Sequence, residues 1–140
     1  MHPLRKLREA EAASVAEYAA ILAEDVVFHS PVFVRAVRGR DNVAPIFAAS
    51  AAARAGHYVT EHKLDDHTTF LRWQGTIDGH EFESFEVIVD DDVGLIAERT
   101  IAYRPYPALK IFRDKGYKAS KGLIPDDLWD YPENLPRFVK

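Results

Sequence analysis

The sequence predicts an α+β domain with its helices packed on one face of an antiparallel sheet. In the N-terminal part, apolar residues recur at helical spacing. Four strand-like runs then follow between His57 and Arg104, separated by short turns rich in Asp and Gly. Helices first and a meander second is typical of this class, and 140 residues is a usual length for one domain.

Two helices are expected before residue 25. The apolar positions between Leu4 and Glu24 follow helical spacing, and Ser14 through Glu17 fits a capping box. In that motif the serine hydroxyl and the glutamate carboxylate each accept a hydrogen bond from a free backbone N–H group. We therefore expect a short helix before Ser14 and a second helix from Val15 to about Ala23.

A strand and a third helix come next. Residues 25–30 form a β-branched and aromatic run that stops at Pro31, and residues 37–40 have the composition of a turn. Asp41 is expected to cap a helix that runs through the alanine-rich stretch to about Arg54 and ends at Gly56. Pro45 is expected in its first turn, where a missing N–H group costs little.

The second half of the chain is expected to form antiparallel hairpins and a last helix. The predicted strands are His57–Leu64, Thr68–Thr76, His80–Val89 and Leu95–Arg104. A helical stretch is expected from Ala108 to Lys115.

The tail breaks this pattern. Residues 116–140 contain Pro125, Pro132 and Pro136, which exclude a long helix. The tail is nevertheless more apolar than a disordered segment, with Leu123, Ile124, Leu128, Trp129, Tyr131, Leu135 and Phe138. We therefore expect a folded domain at residues 1–115 and a C-terminal extension at residues 116–140 that packs on the body or on a partner subunit.

Composition excludes several functional classes. The net charge of −4 is scattered along the chain, which argues against nucleic acid and against an anionic membrane surface. No apolar run approaches the roughly 20 residues that span a bilayer. With no cysteine, disulfides and thiolate chemistry are impossible, and the six histidines lack the spacing of a metal motif. We expect a cytoplasmic protein with no cofactor and no metal.

Strand alternation sorts the side chains into two faces. Phe82, Ser84, Glu86 and Ile88 share one face of their strand, and the opposite face carries apolar residues at 85, 87 and 89. Because neither face is purely polar, both need a cover. The helices cover one face, and a second copy of the chain is the simplest cover for the other. We therefore expect a homodimer through the outer face of the sheet.

Three stretches resemble one family. Ala23–Pro31 resembles its helix-to-strand transition, Val37–Asp41 its turn into the third helix, and Asp90–Ile96 followed by Arg104-Pro105 its closing hairpin. In this order they cover about residues 4–109, and the chain is identified as resembling the SnoaL-like family of the nuclear-transport-factor-two-like superfamily.

The resemblance implies a cone in which a strongly curved, mostly antiparallel sheet wraps around three N-terminal helices and an internal pocket. Members include ketosteroid isomerases, epoxide hydrolases, polyketide cyclases and non-catalytic binding proteins, which are commonly dimeric. Glu86 matches an acidic pocket residue and Tyr103 an aromatic one. Ser30 stands where the isomerases carry a carboxylate base, and a serine hydroxyl is no base at neutral pH without an activating group.

Glu86 and Arg99 are the candidate catalytic residues, because strand parity puts a carboxylate and a guanidinium on otherwise apolar inner faces. The alternative is that Glu86 simply pairs with Arg99, as a structural ion pair or to orient a ligand. The candidate ligand-binding residues are Tyr18, Phe28, Ser30, Tyr58, Leu71, Trp73, Phe82, Ser84 and Tyr103.

The predicted function is to bind a small hydrophobic metabolite with one polar group. If the protein is an enzyme, it is expected to carry out cofactor-independent acid–base chemistry of the isomerase, cyclase, hydratase or epoxide-hydrolase type. The rival hypothesis is a non-catalytic ligand-binding or dimeric assembly module whose pocket is filled. Cavity volume discriminates between an open ligand site and a filled pocket.

Overall fold

The computed structural model describes residues 1–10 and 12–137. These residues form five α-helices, one sheet and, after the last α-helix, a short 3₁₀ helix. The helices are α1 Pro3–Glu9, α2 Val15–Ala19, α3 Arg40–Ala52, α4 Tyr106–Ala119, α5 Asp126–Trp129 and the 3₁₀ helix Pro132–Arg137. The strands are β1 Leu22–His29, β2 Val37–Arg38, β3 Ala55–Lys63, β4 Thr68–Ile77, β5 His80–Asp90 and β6 Ile96–Arg104.

One six-stranded sheet organises the molecule. Its order is β2-β1-β6-β5-β4-β3, and all neighbours are antiparallel except β1 and β6, which are parallel. The strands from β3 to β6 form the predicted meander, whereas β1 comes from the N-terminal half and pairs with the last strand. The predicted α+β class with a mostly antiparallel sheet is confirmed.

The helices before the meander and the first helix after it were predicted, but one further helix was not. Three helices precede the meander and α4 follows it, as expected, whereas α5 was not predicted, so the described residues contain five α-helices. The predicted stretch from Ala108 to Lys115 is the middle of α4, and α4 continues across the expected boundary at residues 115 and 116.

The end of the second helix and the start of the first strand were also predicted wrongly. The capping box forms as expected, with the Glu17 backbone N–H donating to Ser14 Oγ at 3.1 Å. However, α2 ends at Ala19 and β1 begins at Leu22, which pairs with Ile96 of β6. Pairing with a distant strand therefore overrides the local helical pattern up to Ala23.

The N-terminus of α3 differs from its prediction. The cap position is Gly39, at φ 92°, and no side chain caps the helix, so Asp41 lies in the first turn and is not the cap. Pro45 lies inside the helix rather than in its first turn. The hydrogen bond that its ring eliminates would have gone to the carbonyl of Asp41, an exposed residue near the helix start.

The core lies between the inner face of the sheet and α3. Phe47 of α3 is fully buried and makes edge-to-face contacts with Tyr18 and Phe28, at 6.2 and 4.9 Å between ring centroids. In the tail, Leu128 and Trp129 are buried, and the Trp129 ring packs edge-on against Phe33. The apolar tail residue Phe138 lies outside the described residues.

None of the helices in residues 1–10 and 12–137 has both the length and the apolar character that crossing a bilayer requires.

Candidate functional site

Two cavities lie on either side of α3. The first, called the α4 cavity, has a volume of about 600 Å³ and lies between α3, α4, the tail and the inner face of the sheet. The second, called the α1 cavity, has a volume of about 800 Å³ and lies between α1, α2, the C-terminal half of α3 and the start of β3. Ala52 of α3 contributes to both walls.

A buried ion pair lies on the inner face of the sheet. Glu86 and Arg99 are each 1% exposed, and the Nε and Nη2 atoms of Arg99 both donate to Glu86 Oε2, at 3.1 and 2.5 Å. Glu86 stands opposite Ile101 and Arg99 opposite Ile88, so the two side chains are diagonal neighbours across β5 and β6. This register brings the charges together without a turn or loop.

Aromatic rings fix the other side of the Arg99 guanidinium. Its carbon lies 4.5 Å from the centroid of the Phe47 ring and 5.4 Å from that of Phe28. Arg99 also lies in the wall of the α4 cavity. The ion pair and the rings therefore hold the Arg99 guanidinium in a fixed position in the wall of the mainly apolar α4 cavity.

Tyr58 extends the row of polar side chains formed by Arg99 and Glu86 toward α1. Its hydroxyl donates to Glu86 Oε1 at 3.5 Å, and Tyr58 lies in the wall of the α1 cavity. Burial, and next the Glu86 charge, raise the pKa of Tyr58 to about 12. Tyr58 is therefore a neutral donor at ordinary pH.

A second buried arginine lies beside this row. Arg54 lies two residues after the end of α3 at Ala52 and is 8% exposed, with its guanidinium stacked 4.1 Å from the centroid of Trp73 and 5.1 Å from that of Tyr103. Its Nη1 donates to Ser84 Oγ at 3.4 Å, but within the described part of the chain its Nε and Nη2 have no partner. Burial, together with the charge of Arg8, lowers the pKa of Arg54 to about 10.

Arg8 reaches the same region from α1. The His2 side chain accepts the Leu4 N–H at the start of this helix and contacts the Asp90 carboxylate at 3.0 Å, which ties α1 to the end of β5. From the other end of α1, Arg8 lies in the wall of the α1 cavity and donates to Ser50 Oγ at 3.3 Å.

Sequence comparison identifies no relative. No family model matches the chain, and no curated protein is significantly similar to it.

Solved structures do share its architecture. A bacterial protein with a cystatin-like fold from Silicibacter pomeroyi is 24% identical, with a TM-score of 0.76 over 85% of this chain and 86% of that one. A steroid delta-isomerase from Pseudomonas aeruginosa is 18% identical, with a TM-score of 0.76 over 84% and 85%. A SnoaL-like protein of unknown function from Burkholderia thailandensis is 14% identical, with a TM-score of 0.59 over 72% and 91%. This chain has the nuclear-transport-factor-two-like fold. At such identities the likeness shows the fold alone.

Within this nuclear-transport-factor-two-like fold, the predicted site residues fall into three groups. Phe28, Ser30, Arg99 and Tyr103 lie in the wall of the α4 cavity. Tyr18 and Tyr58 lie in the wall of the α1 cavity. The remaining residues are in the buried core and line neither cavity: Leu71, Trp73, Phe82, Ser84 and Glu86.

Sequence reasoning missed two kinds of wall residue. Arg54 and Arg8 were not singled out, although Arg54, as an arginine inside a run of alanines, is a readable signal. Phe112 of α4 and Trp129 of the tail line the α4 cavity, and only their apolar character hinted at a packed position. Among residues 1–10 and 12–137, no three His, Asp or Glu side chains are grouped closely enough to bind a metal ion.

Proposed function

We propose that the protein binds a small, largely apolar molecule with one polar group in the α4 cavity. The observation that carries this proposal is a single fixed guanidinium, that of Arg99, in the wall of an otherwise mainly apolar hollow of about 600 Å³. Ligand pockets in proteins have volumes of about 300–1,000 Å³ and use a few polar groups to orient the ligand. The volume favours an open ligand site over the filled pocket of an assembly module.

The wall chemistry indicates the ligand class. Its apolar part comes from the sheet, α3, α4 and the tail, including Phe28, Ile46, Ile101, Phe112 and Trp129. Such a surface gains free energy by removing hydrocarbon from water, at about 25 cal/mol per Å². The rim of the α4 cavity is exposed and contains the polar residues Asp41, Asn42 and Lys115. A ligand can enter the cavity from solvent at this rim.

Arg99 is the residue that would orient the ligand. Its charge is already balanced by Glu86, and its plane is fixed between that carboxylate and two rings. A guanidinium fixed in this way can donate to a carbonyl or hydroxyl oxygen with little loss of side-chain entropy. We therefore assign Glu86 the role of positioning Arg99.

An isomerase-type reaction is the second candidate, because a steroid delta-isomerase is among the similar structures. That chemistry needs a base in contact with the ligand. Both oxygens of Glu86 already accept hydrogen bonds, and Glu86 is not in the cavity wall. Among the described residues lining the α4 cavity, Asp41 is the one carboxylate, so the catalytic roles predicted for Glu86 and Arg99 stay predictions.

The test is direct binding of a fluorescent probe. 1-Aminoanthracene is a mostly apolar molecule with one polar group, and we expect saturable fluorescence enhancement at one site per chain. Ala49 is in the wall of the α4 cavity, so Ala49→Phe is expected to weaken binding at least about 10-fold by filling the site. Native mass spectrometry of the purified protein would report a co-purified natural ligand.

The matched control is Ala16→Phe, the same change at an exposed position of α2 in the wall of neither cavity. It is expected to bind the probe as the parent does. Equal probe affinity for Ala49→Phe and the parent, with both folded by circular dichroism, would rule out the α4 cavity as the binding site.

A further inference from the structure

Glu86 determines the charge of the ligand: we propose that the α4 cavity selects a neutral oxygen acceptor, of which a ketone is the simplest case, and excludes the carboxylic acid of the same shape. This inference rests on the proposed function and deepens it, because it names the ligand class and the residue that selects it. Glu86 is then a specificity-determining residue as well as the residue that positions Arg99.

The wall of the α4 cavity has no uncompensated positive charge among its described residues. Three of them are charged, namely Asp41, Arg99 and Lys115. Arg99 is paired with the buried Glu86, and Lys115 Nζ lies 2.6 Å from Asp78 Oδ1. Each cation therefore has its own carboxylate, and the third charged residue is itself an acid. An anionic ligand finds no free counter-ion in this wall.

The edge of Arg99 that a ligand carboxylate would use is already occupied. Nε and Nη2 form the edge of a guanidinium that matches a carboxylate, and both donate to Glu86 Oε2. Tyr58 donates to Glu86 Oε1, so both oxygens accept, as in an ionised carboxylate. Nη1 of Arg99 has no hydrogen-bond partner within residues 1–10 and 12–137, and it is not fully enclosed. One such donor suits a single oxygen acceptor.

A carboxylate in this cavity would lose its hydration without gaining a counter-ion. Glu86 is 1% exposed and already compensates the charge of Arg99, so a ligand carboxylate would place two anions beside one cation. Two like charges at one desolvated site disfavour each other, and an unpaired carboxylate is costly to bury. A ketone loses much less hydration and needs only one donor. The neutral ligand is consequently favoured over the acid of the same shape.

The experiment compares 2-acetylnaphthalene with 2-naphthoate, which have nearly the same shape and differ in charge. Each is added to the parent protein with bound 1-aminoanthracene, and the displacement of that probe gives the affinity. We expect the parent to bind the ketone at least about 10-fold more tightly than the acid. Equal affinities, or tighter binding of the acid, would overturn the inference.

Glu86→Gln tests the role of Glu86. The amide keeps the shape of the side chain and one acceptor oxygen but removes the negative charge, which leaves Arg99 as an uncompensated cation. We expect 2-naphthoate to bind this variant at least about 10-fold more tightly than it binds the parent. It should also raise the Tm of the variant more than that of the parent, because it replaces the missing charge.

Two outcomes decide the role of Glu86. An unchanged ratio of the ketone and acid affinities in Glu86→Gln would overturn it. A variant that folds only when 2-naphthoate is present supports it, because the ligand then takes the place of the lost carboxylate.

Two further variants serve as controls. Glu81→Gln is the same change on the same strand, at an exposed residue that lines neither cavity, and it is expected to keep the parent's preference for the ketone. The double variant Glu86→Gln/Arg99→Met lacks the released cation and is expected to lose the gain in 2-naphthoate affinity. A gain of the same size in Glu81→Gln or in the double variant would overturn the assignment to the Glu86 and Arg99 pair.

The proposed function and the charge selection can fail separately. If 1-aminoanthracene binds and Ala49→Phe weakens that binding, the α4 cavity is a ligand site whichever naphthalene compound binds better. Equal affinities for the ketone and the acid then refute the charge selection alone. A parent protein that does not bind 1-aminoanthracene, 2-acetylnaphthalene or 2-naphthoate refutes the proposed function and, with it, the inference that rests on it.

Discussion

Glu86 and Arg99 lose their hydration together when the chain folds, and each is the reason that the other can be buried. Two charges removed from water cost several kcal/mol each, which only a close and well-bonded partner offsets. Here two guanidinium nitrogens donate to the same carboxylate oxygen, and Tyr58 donates to the other oxygen. The two side chains consequently contribute to stability as one cooperative unit.

The first prediction concerns this unit. Glu86→Leu or Arg99→Met alone leaves one buried charge unpaired and is expected to lower the free energy of unfolding by about 3–5 kcal/mol. The double variant replaces both charges by apolar groups and is expected to cost less than either single change. Urea denaturation of the four proteins in a double-mutant cycle measures the coupling.

The exposed pair of Arg35 and Asp127 provides the control, since both side chains are 54% exposed. The same cycle with Arg35→Met and Asp127→Ala is expected to give a coupling below about 1 kcal/mol. If the costs of Glu86→Leu and Arg99→Met simply added in the double variant, the cooperative unit would not exist.

At the scale of elements, β3 and β4 meet at a pair of glycines that makes room for Trp73. Gly56 and Gly75 are register partners, and a Cβ atom at either would lie 2.5–2.6 Å from atoms of the Trp73 ring and would also collide with backbone of the opposite strand. The indole lies over this pair and under the Arg54 guanidinium. The two glycines therefore help to hold the stack on which Arg54 rests.

The second prediction tests this packing. Gly75→Ala is expected to lower the free energy of unfolding by more than about 2 kcal/mol, because neither the tryptophan ring nor the facing backbone can move away cheaply. Thermal unfolding followed by tryptophan fluorescence measures both the loss and any displacement of the ring. Thr76→Ala, at the exposed neighbouring position, is expected to cost less than about 1 kcal/mol. A Gly75→Ala protein as stable as Thr76→Ala would show that the glycine pair has space for a Cβ atom.

Element boundaries show where sequence patterns stop being sufficient. The capping box at Ser14 and Glu17 is a local motif, and it forms as predicted. The start of β1 at Leu22 depends instead on pairing with Ile96, a residue 74 positions away in the chain. Local spacing cannot report such a contact, so the predicted helix ran too far. The start of α3 at Arg40 was missed for a different, local reason, because the backbone of Gly39 at φ 92° precedes the helix and no side chain caps it.

At the scale of the whole molecule, the outer face of the sheet stays partly apolar. Phe70 and Val87 are paired across β4 and β5 on this face, and Val87 is 38% exposed. Polar pairs flank it, including Arg72 with Glu83 at 3.0 Å and His29 with Glu98 at 2.9 Å. An apolar centre with a polar rim is the usual composition of a subunit interface. We propose that a second copy of the chain covers this face in a two-fold dimer.

The third prediction follows from that arrangement. The parent protein is expected to have the mass of a dimer by size-exclusion chromatography with light scattering, and Val87→Asp is expected to have that of a monomer. Val15→Asp is the matched control, because Val15 is also exposed but lies at the start of α2 and not in the sheet. A monomeric parent, or a dimer that Val87→Asp leaves intact, would contradict the outer-face interface.

The sequence by itself determined the fold class, the meander and the inward direction of Glu86, Arg99 and Tyr103. These features depend on alternation along single strands and on short turn motifs, which act over a few residues. Tertiary structure alone decided that Glu86 is enclosed beside the cavities rather than exposed in one, that the tail residue Trp129 lines the α4 cavity, and that two nitrogens of Arg54 have no hydrogen-bond partner within the described residues. The physical reason is that burial and hydrogen-bond satisfaction depend on which distant elements come together, and no local pattern contains that information.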